Sequence, residues 1–284
     1  MEFCHITPTK YLDIFAAGRK SHLVLAHLVE EDKNYAKWYR EEKLKTNCTI
    51  ILDNSAFEMY KRGLPMYDSD KLLSMAKSIC ANYVVMSDYP GESANRTQEK
   101  AKEMAPILKK DGFKTFFCPQ SRIGNMDELV ESFMWAVEQP SIDYIGLSVL
   151  NIPNAYGVEK DNKLQRFLSR WRFCSTLQSK GFFIKAKTNS KKLHLLGMLD
   201  GPNEIWILKD FLIHFSTWDS SAAVWTGLNG IEFDQSPTGM INGKYEKEVD
   251  FNHESARIEE IGLAMRNLKH IDNLIIKAMY GTKG

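Results

Sequence analysis

Short apolar runs rich in β-branched and aromatic residues recur along the chain, most of them followed by a stretch with helical spacing. The runs are HLVLAHL (22–28), TIILDNSAF (49–57), NYVVMSD (82–88), KTFFCPQS (114–121), DYIGLSVL (143–150), FFIKA (182–186), KLHLLGM (192–198) and IHFSTWDSS (213–221). Their hydrophobicity is continuous rather than alternating, which suits strands buried on both faces, as in a parallel sheet. Between them the spacing predicts helices over 31–45, 69–80, 92–111, 125–138, 159–180 and 202–211. Local signals agree with those bounds. Asp68-Ser69 precedes the second helix, Gly112 follows Lys109-Lys110, Gly181 ends the fifth and Gly201-Pro202 opens the sixth.

Strand–helix alternation of this kind builds βαβ units. The pattern predicts an α/β fold, a (β/α)₈ TIM-type barrel forming one domain over 1–284. An open doubly wound sheet is the alternative, although no strand runs into a GxGxxG turn or a phosphate loop. From 226 to 250 the residues Gly227, Gly230, Pro237, Gly239 and Gly243 predict an irregular excursion. A long amphipathic helix over 253–280 follows, with Ile258, Ile261, Leu263, Met265, Leu268, Ile271 and Leu274 available for its buried face.

Composition narrows the class without naming a function. The 284 residues are 44% hydrophobic and 26% charged, ordinary for a globular protein whose core needs no staples. No apolar run is long enough to span a bilayer, and the N-terminus lacks the basic start and apolar stretch of a signal peptide, so a cytoplasmic protein without membrane contact is expected. Five scattered cysteines contain no CxxC pair and read as reduced, mostly packed thiols. The seven histidines lack metal spacing; His22 and His27, five apart on one expected strand, face opposite sides. No GxSxG elbow supports a serine hydrolase.

Charge matters through its distribution. Net charge is +1, yet Glu159–Lys192 holds ten basic residues against two acidic ones. Lys185, Lys187, Lys191, Lys192, Arg166 and Arg170 are the candidate phosphate contacts, with a solvated helix face as the alternative.

Polar residues cluster at the expected C-terminal ends of the strands, where a barrel carries its active site. Strand by strand these are Asp53-Asn54-Ser55, Asp88, Gln120, Gly146-Leu147-Ser148, Gly197-Met198 and Asp219. Each aspartate alone reads as a cap or turn residue. Three at equivalent strand ends point to a shared mouth.

These same segments resemble the tRNA-guanine transglycosylase family, of the queuine and archaeosine type. Ile51–Phe57 is similar to its TDSGGFQ strand end, Val85–Asp88 to the strand whose aspartate grips the purine, and Phe117–Gln120 to the strand ending in a base-contacting glutamine. Tyr144–Ser148 resembles GGLAVGE, and 194–221 resembles the stretch from YLMGVG to the nucleophilic aspartate. The five stretches occur in the family's order over about 49–225.

The resemblance implies Asp219 as nucleophile and Asp53 as general acid/base, with Asp88, Gln120, the Gly146-Leu147 backbone, Ser55 and Met198 around the base. It implies guanine exchange for a 7-deazaguanine, such as a 7-cyano or 7-aminomethyl derivative, in a nucleic acid, through a covalent glycosyl-aspartate. The target nucleotide leaves its stack, and Phe57, Tyr89 and Trp218 are candidates to sandwich it. Departures from the family are specific. No cysteine follows Cys174, so the family's CxCxxC…H zinc site is absent from the sequence, and neither a metal nor another cofactor is expected. Ser55-Ala56 replaces Gly-Gly, the PTR after the nucleophile is missing, and the chain is shorter. That trimming is similar to phage and bacterial relatives acting on DNA, so DNA is the favoured polymer over tRNA. A hydrolytic N-glycosidase and a non-catalytic nucleic-acid-binding barrel are the alternatives.

Overall fold

The computed structural model describes residues 1–199, 201–233 and 249–281. Eight parallel strands are β1 (Glu2–His5), β2 (Ser21–Leu25), β3 (Thr49–Asp53), β4 (Tyr83–Val85), β5 (Lys114–Phe117), β6 (Tyr144–Ser148), β7 (Lys192–Leu196) and β8 (Thr217–Ser220). Their order is β1-β8-β7-β6-β5-β4-β3-β2, and the two end strands β1 and β2 lie against each other, so the sheet forms a nearly closed barrel. Helices alternate with the strands outside it, the α/β barrel expected from the patterning. Burial on both faces is why the strands read as continuous apolar runs: every residue of β2 and the three central residues of β3 are buried.

Inside the barrel, aromatic rings from neighbouring strands fill the section below the mouth. Phe116 stacks on Tyr144 at 4.9 Å, and His194 meets Phe116 edge-on at 5.4 Å. Gly146 makes room for them. A Cβ there would lie 2.5 Å from the Phe116 ring and 2.6 Å from Leu196.

Most helix bounds follow the expected signals. Asp32, Asp68, Asn125 and Asn162 each cap a helix by accepting from backbone N–H groups of the first turn. Two differences stand out. FFIKA is not a strand but lies in the helix Phe182–Thr188. Gly181, at φ +70°, reverses the chain, and the helix then buries Phe183 and Ala186 while Ile184 and Lys185 face solvent, a three-residue rather than a two-residue spacing. The eighth strand is instead β1, whose sequence EFCH holds only two apolar residues in a row and does not read as an apolar run. His27 is likewise not on a strand with His22; β2 stops at Leu25 and His27 sits in the helix Ala26–Glu31.

Residues 226–228, expected to be irregular, are helical within Ala222–Leu228, and 234–248 of the expected region lies outside the described residues. The C-terminal helix begins at Ile258 rather than 253 and runs to Tyr280; it buries Leu268, Ile271 and Leu274 as expected, while Ile258 and Met265 are exposed. Asp272 on it accepts from His5 of β1 at 3.0 Å and from Arg19 at 3.1 Å, tying it to the barrel. Ala222–Leu228 crosses it at Gly227, where a Cβ would lie 2.3 Å from the Ala264 backbone. Gly227→Ala is therefore expected to force the two helices apart and lower stability by about 1–3 kcal/mol. A melting temperature equal to that of the wild type would contradict this close crossing. Among the described residues no helix is long and apolar enough to cross a membrane.

Candidate active site

Parallel strands in one barrel bring all their C-terminal ends to one face, so residues far apart in sequence share a mouth. Asp53 ends β3, Asp88 lies three residues beyond β4, Gln120 three beyond β5, and Asp219 is the penultimate residue of β8. Gln120 donates to Asp88, and the three aspartates lie close enough for their charges to act on common neighbours. Burial raises the Asp53 carboxyl well above the carboxylate range, and Glu58, Asp219 and Asp88 raise it further. Burial pushes the Cys118 thiol up, and Asp88, Asp53 and Asp219 push it further.

Each carboxylate is held differently. Asp219 Oδ1 accepts from His194 Nε2 at 2.8 Å and from the Gly197 backbone N–H at 3.1 Å. His194 lies on β7, its other ring nitrogen on the Thr217 hydroxyl, which in turn meets the Tyr144 hydroxyl at 2.6 Å. Because Oδ1 already accepts the Gly197 N–H, it acts as an acceptor, so His194 donates from Nε2 and receives at Nδ1 from Thr217. Thr217 then receives from Tyr144. This buried relay runs across β6, β8 and β7 and ends on Asp219.

Asp53 Oδ2 accepts from the Ser55 backbone N–H at 2.9 Å. Ser55 can turn back this way because it adopts φ +55°, and its hydroxyl is engaged by His27. The Ser55 side chain is fully buried, and its bonds with His27 orient the segment beside Asp53. Asp88 is gripped from both sides, by Asn54 Nδ2 at 2.6 Å on Oδ1 and by Gln120 Nε2 on Oδ2. Burial raises its carboxyl to about 6 despite those two donors.

Glu58, absent from the sequence-based candidates, joins the cluster from the helix Ala56–Arg62. Burial raises it to about 7, with Asp219 adding to the rise and Arg62 opposing it. A carboxyl raised on folding stabilises while protonated; that contribution is complete below about 4.5 and is lost as pH climbs through about 7. Glu58→Gln is thus expected to raise stability at pH 8, by about 1–2 kcal/mol, and to change it little at pH 4. Equal effects at both pH values in thermal melts would show that Glu58 does not titrate in this way.

Several other expected contacts are relocated. Leu147 is buried in β6 and its carbonyl accepts from Arg170 at 3.1 Å, while Gly146 serves the packing of Phe116. Met198 is half-buried in the turn after β7. Trp218 is fully buried and cannot sandwich a base; it faces the helical layer and donates to the Gly197 carbonyl at 2.6 Å. Phe57 is exposed, and Tyr89 is half-buried beneath the Arg96 guanidinium.

The basic stretch divides. Arg170 is fully buried, so its expected phosphate contact is corrected. Its guanidinium binds Glu204 at 2.8 Å and the carbonyls of Leu147, Leu196 and Gly197, bracing the turn that donates to Asp219. Lys192 begins β7 and reaches the Tyr83 hydroxyl at the start of β4; Lys191 binds the Gln139 and Ile142 carbonyls before β6; Lys185 pairs with Glu138. These contacts, with the exposed Lys187 between them, belong to the N-terminal end of the barrel, opposite the aspartates. Arg166 is the basic candidate nearest the mouth. It lies one turn before Arg170, half-buried, with Nη1 sealed and unpaired and its pKa lowered by burial.

Among the described residues no group of three or more His, Cys, Asp or Glu is disposed to hold a metal ion. A groove of about 630 Å³ flanks the mouth between the helices Ala94–Lys110 and Met126–Glu138. Glu128 already accepts there from Ser93, Ala94 and Arg122. No protein-family model matches the chain and no curated protein matches it, so a functional reading rests on the barrel and its strand-end cluster.

Proposed function

We propose that the protein is a base-exchanging transglycosylase that replaces guanine in a nucleic acid with a 7-deazaguanine through a covalent glycosyl-aspartate. The observation that carries this reading is the division of labour between two acids in one mouth. Asp219 has Oδ1 held by two N–H donors, leaving Oδ2 for attack, while burial and neighbouring carboxylates favour the protonated form of Asp53. Two carboxyls in environments that separate their roles are what glycosyl transfer requires.

Asp219 Oδ2 attacks C1′ of the target nucleotide as the bond from C1′ to the base nitrogen breaks, and Asp53 gives its proton to the leaving base. The incoming base then returns a proton to Asp53, its nitrogen attacks C1′, and the bond to Asp219 breaks. Asp88 accepts from the N1–H and exocyclic amine of guanine through the lone pairs that Asn54 and Gln120 leave free. DNA is favoured over tRNA on the strength of the resemblance alone.

Radiolabelled guanine incubated with the full chain and DNA or tRNA tests the proposal. Label is expected to enter DNA. Entry into tRNA alone would change the polymer and keep the chemistry. Release of guanine without incorporation would mean hydrolysis, and neither outcome would end the enzymatic reading.

A further inference from the structure

The hydrogens of the relay behind Asp219 are ordered by their partners. Tyr144, His194 and Thr217 are all buried, beyond the reach of water. The register of β7 on β8 sets His194 opposite Thr217, and the Tyr144 ring meets the imidazole edge-on at 6.1 Å. With Nε2–H on Asp219 Oδ1, His194 Nδ1 is the acceptor for the single Thr217 hydroxyl hydrogen. Tyr144 then donates to the Thr217 oxygen at 2.6 Å. Burial raises the Tyr144 hydroxyl above the ordinary tyrosine range, which keeps that terminal proton in place.

Asp219 Oδ1 changes character during base exchange. In the free carboxylate it shares a full negative charge. Once Oδ2 is bonded to C1′, Oδ1 is the carbonyl oxygen of an ester, a neutral and weaker acceptor. Hydrogen bonds to an ionised acceptor are about twice as strong as neutral ones, and burial sharpens the difference. The two N–H donors on Oδ1 therefore favour discharge of the ester over its persistence. The Gly197 donor belongs to the backbone and stays. The imidazole, with its acceptor weakened, would be free to take the other tautomer if Nδ1 were not already receiving from Thr217. Thr217 is held in that sense by the Tyr144 proton.

We propose that Thr217 and Tyr144 are positioning residues that act through His194 to keep Nε2–H on Oδ1 of the glycosyl ester, so that the ester discharges rather than accumulates; this rests on the base-exchange reading. In the discharge step the nitrogen of the incoming base bonds C1′ and its proton goes to Asp53. The C1′–Oδ2 bond breaks, and its electron pair returns to Asp219, where His194 and Gly197 meet the restored charge. The relay acts chiefly on this second half of the reaction.

The test separates the two half-reactions of the full chain. Release of labelled guanine from the polymer in a single turnover reports formation of the ester, and addition of free guanine to the adduct reports its discharge. Thr217→Val keeps the β-branched shape and removes the hydroxyl. It is expected to slow discharge by about tenfold, less than the roughly hundredfold or more of deleting an oxyanion donor outright. Release is expected to change much less, so the adduct fraction in denaturing electrophoresis rises. Thr217→Ser keeps the hydroxyl and is expected to restore the wild-type partition. Tyr144→Phe removes only the far end, is expected to act in the same direction as Thr217→Val, and serves if the valine variant does not fold. Equal slowing of both half-reactions, or an adduct fraction no higher than that of the wild type, overturns the relay's role and leaves base exchange standing. No guanine release and no adduct from the wild type with DNA or tRNA overturns the parent reading instead.

Discussion

Replacing Asp219 with asparagine is expected to lower base exchange on the order of 10⁴-fold while leaving the barrel folded. Asparagine keeps an acceptor for His194 and Gly197 at the position of Oδ1, but its amide nitrogen is no nucleophile, and losing a covalent step removes most of the rate acceleration. Alanine is a poorer choice. It strands the His194 and Gly197 N–H groups in a buried site, at about 1–3 kcal/mol, and would mix a folding defect with a chemical one. The wild type with nucleic acid is expected to yield an adduct that survives denaturing electrophoresis, and the asparagine variant none. His194→Phe offers a graded companion: the imidazole lies behind the carboxylate, so kcat is expected to fall more than KM rises. Near wild-type exchange by Asp219→Asn would remove the nucleophile assignment.

Arg170→Met is expected to have the largest effect on stability, about 3–5 kcal/mol. Arg170 and Glu204 both have fully buried side chains. The single change leaves the Glu204 carboxylate without its cation and takes the donor from the Leu147, Leu196 and Gly197 carbonyls. For a barrel of this length the melting temperature should fall by roughly 10 °C. The double variant Arg170→Met/Glu204→Leu should recover much of that loss, because removing both charges avoids the unpaired one. Function is coupled to the same clamp. Leu199 N–H binds Glu204 at 2.8 Å and Gly197 N–H binds Asp219, so the turn after β7 is braced from the helix side and presented to the mouth. A melting temperature within a degree or two of the wild type would show that the turn does not depend on Arg170.

The candidate site was legible where it depended on strand ends. Asp53, Asp88, Gln120 and Asp219 each follow an apolar run, and a parallel barrel sends the ends of such runs to one face, so their convergence could be anticipated. His194 and Glu58 were not anticipated. His194 sits inside an apolar strand, where a histidine reads as packing, and only the register of β7 against β8 puts it beside Asp219. Glu58 lies on the first turn of a helix and looks like an ordinary dipole partner; the walls of the mouth raise its carboxyl. Arg170 misled for the converse reason, since charge counts along the chain do not reveal which way a side chain points.

Local chemistry along the chain was enough for the α/β alternation, for seven of the eight strands, for the Asp68 cap and the glycine stops at Gly112 and Gly181, and for the set of acids at strand ends. These depend on side-chain period and turn residues, which act over a few positions. What tertiary structure alone decided was the pairing of distant groups: the Tyr144–Thr217–His194–Asp219 relay, the burial of Arg170 against Glu204, the displacement of the lysines of 185–192 to the far end, and the helical identity of FFIKA. Hydrogen bonds and charge interactions act over a few ångströms of space, and in a barrel those ångströms join residues that the chain separates by twenty to seventy positions.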